Sequence, residues 1–116
     1  MIRATFWQSA GRWVGFQIEG HAGAGPAGAD IVCAAVSAVA QAIAGGLKDV
    51  VRARPELERR SGFLRCVLPD RSDGEGAQAL LETLFRALVD LHRQYPGRIA
   101  VRTVRRREEV HGAPPG

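Results

Sequence analysis

Apolar residues recur at every second position in two short runs near the start of the chain: Ile2, Ala4 and Phe6, then Val14, Phe16 and Ile18. Ser9-Ala10-Gly11-Arg12 separates them, so the segment reads as a β-hairpin whose second strand ends at Gly20-His21. The period then changes. Val32, Ala35, Val36, Val39, Ile43, Leu47 and Val50 recur at helical spacing from Asp30 to about Val51, with Asp30 placed to cap the first turn. A short run near Arg54 to Arg59 and a clearer one from Phe63 to Leu68 flank Arg60-Ser61-Gly62, which predicts a second hairpin closed by Pro69. Ser72 and Glu75 stand at capping-box spacing, and Ala77, Leu80, Leu81, Leu84, Leu88 and Leu91 trace a second amphipathic helix. Pro96-Gly97 stops it, and Ile99 to Val104 supplies a last strand.

The predicted order is β-β-α-β-β-α-β. Helices that follow hairpins rather than single strands point to an α+β, two-layer sandwich: a mostly antiparallel five-stranded sheet covered by two helices. One domain over residues 1–104 is expected, and the charge run from Arg105 followed by Gly112-Ala113-Pro114-Pro115-Gly116 reads as a basic, flexible tail over 105–116. At 116 residues, 46% hydrophobic and 24% charged, the chain can bury one core and leaves no room for two functional domains.

Composition narrows the function classes further. The longest apolar stretch, Ile31 to Leu47, is interrupted by Ser37, Gln41 and two glycines, unlike a lipid span, and the N-terminus lacks a basic patch followed by an apolar run. A cytoplasmic protein without a membrane segment is the expectation. Two cysteines, Cys33 and Cys66, are too few for a disulfide framework, and neither has the close Cys or His companions of a zinc site. The net charge of +4 is almost wholly arginine, since Lys48 is the only lysine. Arginine favours phosphate and planar partners, although a GC-rich genome writes Ala, Gly and Arg everywhere.

The chemistry concentrates between Gly20 and Ser37. An imidazole, His21, stands at a strand end; a glycine-rich loop follows; a thiol, Cys33, is expected in the first turn of a helix. Unpaired N–H groups there carry a partial positive charge that favours thiolate, the nucleophilic form, and could hold an oxyanion. His21, if the loop folds back, can accept the thiol proton and return it to a leaving amine. Offsets of three and seven put Asp30, Cys33 and Ser37 on one helix face. Taken alone, each has a plainer reading: Cys33 a buried structural thiol, His21 a hydrogen-bonded strand end, Asp30 an N-cap, Ser37 a small polar residue in a packed helix.

The block Gly20-His21-Ala22, a short loop, then Gly28-Ala29-Asp30-Ile31-Val32-Cys33-Ala34-Ala35-Val36-Ser37 resembles the signature of the bacterial ribosomal-processing cysteine proteases, the Prp family. The likeness runs from about Ile2 to Val104 and includes Tyr95-Pro96 closing the second helix. It implies a Cys33–His21 catalytic dyad supported by Gly20, Ala22, Gly28, Asp30 and Ser37, a homodimer, and no metal or cofactor. The implied substrate is the precursor of large-subunit ribosomal protein number twenty-seven, shortened at its N-terminus by cleavage after an aromatic residue.

Two other readings stay open on the residues. A non-catalytic ribosome- or RNA-associated assembly factor would bind rRNA through the arginines, with Trp7 and Trp13 packing in the first hairpin rather than stacking on bases. A thiol-redox protein would need a resolving cysteine, and Cys66 is not at Cys-x-x-Cys spacing. Cys66 alternates with Leu64 and Leu68 and should be protected, while Cys33 should be reactive; His92 and His111 read as structural or solvated.

Overall fold

The computed structural model describes residues 1–20, 27–69 and 74–106, with only the backbone of 27–30. Its elements are β1 (Ile2–Ser9), β2 (Arg12–Glu19), α1 (Ala27–Gly45) continued by a π-helical turn (Gly46–Val50), β3 (Glu56–Arg60), β4 (Phe63–Val67), α2 (Glu75–Gln94) and β5 (Ile99–Arg105). The sheet order is β3-β4-β2-β1-β5.

The α+β class, two helices and five strands agree with the sequence. The sheet is mixed rather than mostly antiparallel: β1 with β2, β2 with β4 and β3 with β4 run antiparallel, but β5 lies parallel to β1. A strand that returns after a helix can enter beside β1 in the parallel sense, which element order alone does not reveal. β5 also runs one residue further than expected, and Arg106 N–H donates to the Gln8 carbonyl at 2.6 Å, so the first residues of the expected tail border the sheet.

The first hairpin turns on Ala10 (φ +52°) and Gly11 (φ +78°) between the paired Ser9 and Arg12, the two-positive-φ geometry that matches strand twist. Inward positions along β2 are Trp13, Phe16 and Ile18, not the expected Val14, Phe16 and Ile18. The pairing shifts by one between Trp7 and Gln8, leaving Val14 as the extra residue, so Trp13 and Phe16 reach the same face although three positions apart.

That inner face carries the core. Phe6, Phe16, Cys66 and Ile99 from the sheet, with Val32, Leu47, Leu81, Leu84 and Leu88 from the helical layer, are all at most 2% exposed. α2 buries Ala77, Leu81, Leu84 and Leu88, as its periodicity predicts, with Leu80 and Leu91 half-buried. It is locked onto the hairpin by polar contacts at the apolar rim. Gln78 accepts the Trp13 N–H and donates to the Trp13 carbonyl, both at 2.8 Å, and the Trp13 indole N–H donates to Glu82 at 2.8 Å. With Arg86 bonded to the same carboxylate, these donors hold Glu82 below the usual carboxylate range. Trp13 and Phe85 pack around Phe6, with ring centroids 5.0 to 5.6 Å apart.

Two helix starts differ from expectation. α1 begins at Ala27, so Asp30 lies inside the helix instead of capping it. α2 begins at Glu75 with Gly74 at its N-cap, which leaves Glu75 two positions too early for a capping box; Ser72 lies outside the described residues. In α1 the residues Ala27, Gly28 and Ala29 ahead of the expected cap are themselves helical, whereas α2 starts later than expected, after Gly74 with its extended backbone (φ −57°, ψ 156°).

Residues Ile31–Val50 are long and apolar enough to cross a membrane by length and composition, with a mean hydropathy of 1.6. Packing accounts for this: Val32, Val36, Ala40, Ala44 and Leu47 face the core, and Gly46 is where α1 meets α2, since a Cβ there would come within 3.2 Å of Leu80.

Ala10 pays the left-handed penalty for a residue with a Cβ, about 1 kcal/mol. Ala10→Asn, which restores the Asn-Gly pair favoured in this turn, is expected to stabilise the protein by roughly 0.5–1 kcal/mol in urea unfolding; an unchanged or lower midpoint contradicts the turn assignment.

Candidate active site

A cleft of about 280 Å³ opens between the N-terminal half of α1 and the end of the sheet where β2 and β3 finish and β4 begins. Cys33, Val36, Ser37, Ala40 and Gln41 form its helical wall. Ile2, Ile18 and Leu64 form an apolar floor, and Gly20, Arg59, Arg60, Gly62 and Phe63 form the opposite rim.

Cys33 reaches this cleft because Val32 and Val36, beside it and one turn on, are anchored in the core and fix the rotation of α1. Its thiol is half-buried, packed against the edge of the core, and forms no disulfide with Cys66. The helix starts six residues earlier, so Cys33 sits in the second turn, not the first. The partial charge of the helix N-terminus fades within a turn, and the unpaired N–H groups lie before Cys33.

The far rim is set by backbone. Gly20 has φ +96°, and a Cβ there would approach the Met1 carbonyl oxygen to 2.5 Å, so only glycine fits. Its N–H donates to the Gly62 carbonyl at 2.9 Å, tying the end of β2 to the β3–β4 turn, where Gly62 itself has φ +72°. Gly20 is bonded to His21, but His21 and Ala22 lie outside the described residues, as does the loop to Pro26. Gly28 and Asp30 are placed by backbone in the first turn of α1.

Ser37, one turn beyond Cys33, is exposed and accepts a hydrogen bond from Gln41 Nε2 at 3.2 Å. The structure thus brings Gly20, Cys33 and Ser37 to one cleft. Sequence reasoning missed Arg59, Arg60, Phe63 and Gln41 there. Arg59 carried a signal: it follows inward-facing Leu57 by two on a strand, where alternation calls for an apolar side chain. Among the described residues, no three Cys, His, Asp or Glu side chains gather as a metal site would require.

Cys66 contrasts with Cys33. It is wholly buried opposite Phe16 and Leu57, and burial pushes its thiol up from 9.0 to about 12, against a smaller opposing effect of the Arg59 charge. It is a packing residue. Trp7 lies on the other face of the sheet with the Arg65 guanidinium 5.1 Å from its ring, and His92 Nδ1 is 2.7 Å from the Ile99 carbonyl.

Residues 1–100 match the family described as cysteine protease Prp. The chain belongs to that family. It is a cysteine protease, and several solved structures share its fold. A protein of Streptococcus mutans, SMU.848, superposes with a TM-score of 0.79 at 26% identity, covering 91% of this chain and 96% of its own. The essential ribosomal processing protease Prp of Staphylococcus aureus, in complex with a covalently linked product peptide, gives 0.81 at 25% identity, covering 90% of this chain and all of its own. The same Staphylococcus aureus protease with a substrate peptide gives 0.81 at 24% identity, a likeness of fold. No curated protein sequence matches significantly.

The raised Cys66 thiol has a measurable consequence. Above pH 9 the unfolded chain gains stability by ionising this thiol, whereas the folded chain keeps it neutral until about pH 12. Stability should therefore fall more steeply with pH between 9 and 12 in the wild type than in Cys66→Ala, measured by urea unfolding at each pH. Equal slopes would show that Cys66 ionises as easily folded as unfolded.

Proposed function

We propose that this Prp-family protease uses Cys33 as nucleophile and His21 as general base and acid to remove the N-terminal extension of large-subunit ribosomal protein number twenty-seven. The observation that supports the assignment most is the cleft itself: the Cys33 thiol faces it from one wall, and Gly20, to which His21 is bonded, lines the other. The cleft has the apolar floor and the glycine-edged rim that an extended peptide with an apolar side chain requires.

In this reading Sγ of Cys33 attacks the carbonyl carbon of the scissile bond as its proton passes to His21. The tetrahedral intermediate collapses, the C–N bond breaks, and His21 gives that proton to the departing amine. Water, deprotonated by His21, then attacks the thioester; the carboxylic product leaves and the thiol is restored. Asp30 and Ser37, on the helix with Cys33, and Ala22 and Gly28, flanking the loop, support the site without entering the chemistry. The protein acts in the cytoplasm and, as the family resemblance implies, as a homodimer, and its arginines suit work close to the ribosome.

The test is incubation of the wild type, Cys33→Ala and His21→Ala with a peptide spanning the precursor's cleavage site, followed by mass spectrometry. Wild type should cut at one bond, Cys33→Ala not at all, and His21→Ala at least about a hundredfold more slowly. Equal cleavage by all three, or none by the wild type, contradicts the assignment.

A further inference from the structure

Arg59 is out of place for its position. It pairs with Leu64, which pairs with Ile18, which pairs with Ala4, three residues buried against the helices, while Arg59 at the edge-strand end of the row is exposed. Alternation along edge strand β3, with half-buried Leu57 two residues earlier, directs Arg59 to the same face. Its charge is felt at buried Cys66 on that face, and it lines the cleft opposite Cys33. Among the described residues it has no ion pair or hydrogen bond through its side chain. Its neighbour Arg60 is already engaged, ion-paired with Glu58 and stacked 3.9 Å from the Phe63 ring centroid.

An exposed guanidinium at the rim of a cleft with an apolar floor, its donors uncommitted among the described residues, is suited to one ligand chemistry above others, a carboxylate held side-on by paired N–H donors. We propose that Arg59 selects the peptide in the cleft by binding a carboxylate. This rests on the peptidase reading above. Two sources share that chemistry: an acidic side chain of the substrate, and the α-carboxylate released when the acyl enzyme is hydrolysed. Arg59 is a specificity residue and takes no part in bond making.

The experiment separates the sources and separates this inference from its parent. Precursor peptides carry Glu, or Gln in matched copies, at each of the four positions before the scissile bond; product peptides ending at that bond are made as C-terminal acid and amide. Binding is measured by calorimetry on Cys33→Ala with Arg59 intact, Arg59→Gln or Arg59→Glu, and cleavage is measured in the otherwise wild-type chain. An exposed charge pair is worth up to ~1 kcal/mol, so Glu over Gln at one position, or acid over amide, should bind about fivefold more tightly. Arg59→Gln should abolish the preference and Arg59→Glu invert it. A preference confined to the acid product assigns the new terminus; one confined to Glu peptides assigns a side chain. Identical binding of every pair by the Arg59-intact and Arg59→Gln proteins overturns the inference, even if wild type cleaves them all. Uniform loss of cleavage with slower alkylation of Cys33 in Arg59→Gln also overturns it, since the guanidinium would then act on the thiol. Carboxylate preference without any cleavage sustains Arg59 and refutes the dyad.

Discussion

The sheet carries its apolar core on one face, and that constraint shapes everything else in the molecule. Phe6, Phe16, Cys66 and Ile99 project to one side, and both helices must lie there to cover them. The bulge at Val14 serves the same end by turning Trp13 toward that side, where Gln78 and Glu82 of α2 satisfy its backbone and indole groups. With α2 held at the hairpin, α1 is left to cover the remainder, and its Val32, Val36 and Ala40 stripe fits the area beside Ile2 and Ile18.

The active-site cleft is where that coverage ends. α1 leaves the apolar ends of β2 and β4 incompletely roofed, so Ile18 and Leu64 become a floor rather than a closed core. Rotation of α1, fixed by its buried valines, turns Cys33 to the gap. Two glycine backbones, Gly20 and Gly62, close the far side through one hydrogen bond. The site is thus an unfilled edge of the core with a nucleophile on one wall. Its two cysteines diverge for the same reason: Cys66 lies under the roof and is held neutral, Cys33 lies at its margin.

Much of this was legible in the sequence because it rests on local rules. Period-two runs located the strands, Leu81, Leu84 and Leu88 defined the face of α2, and the Gly20-His21-Ala22 and Asp30 to Ser37 blocks pointed to the family and to Cys33. What was not legible depends on pairing. The parallel entry of β5 beside β1 and the bulge at Val14 arise between strands, and a single-strand pattern cannot show either. The helix start at Ala27 depended on Ala27 and Ala29 favouring helix around Gly28, which disfavours it, and it moved Cys33 from the first turn to the second. Alternation after Leu57 marked Arg59 as inward-facing, but its place opposite Cys33 followed only once its row through Leu64, Ile18 and Ala4 was known.

The account stands or falls on whether His21 activates Cys33, and the most direct measurement is the rate of Cys33 alkylation by iodoacetamide at neutral pH, followed site by site with mass spectrometry. His21→Ala should slow modification of Cys33 at least about tenfold while Cys66 stays unmodified in both proteins. Equal rates at Cys33 with and without the imidazole would contradict a dyad and return Cys33 to the role of a structural thiol at the margin of the core.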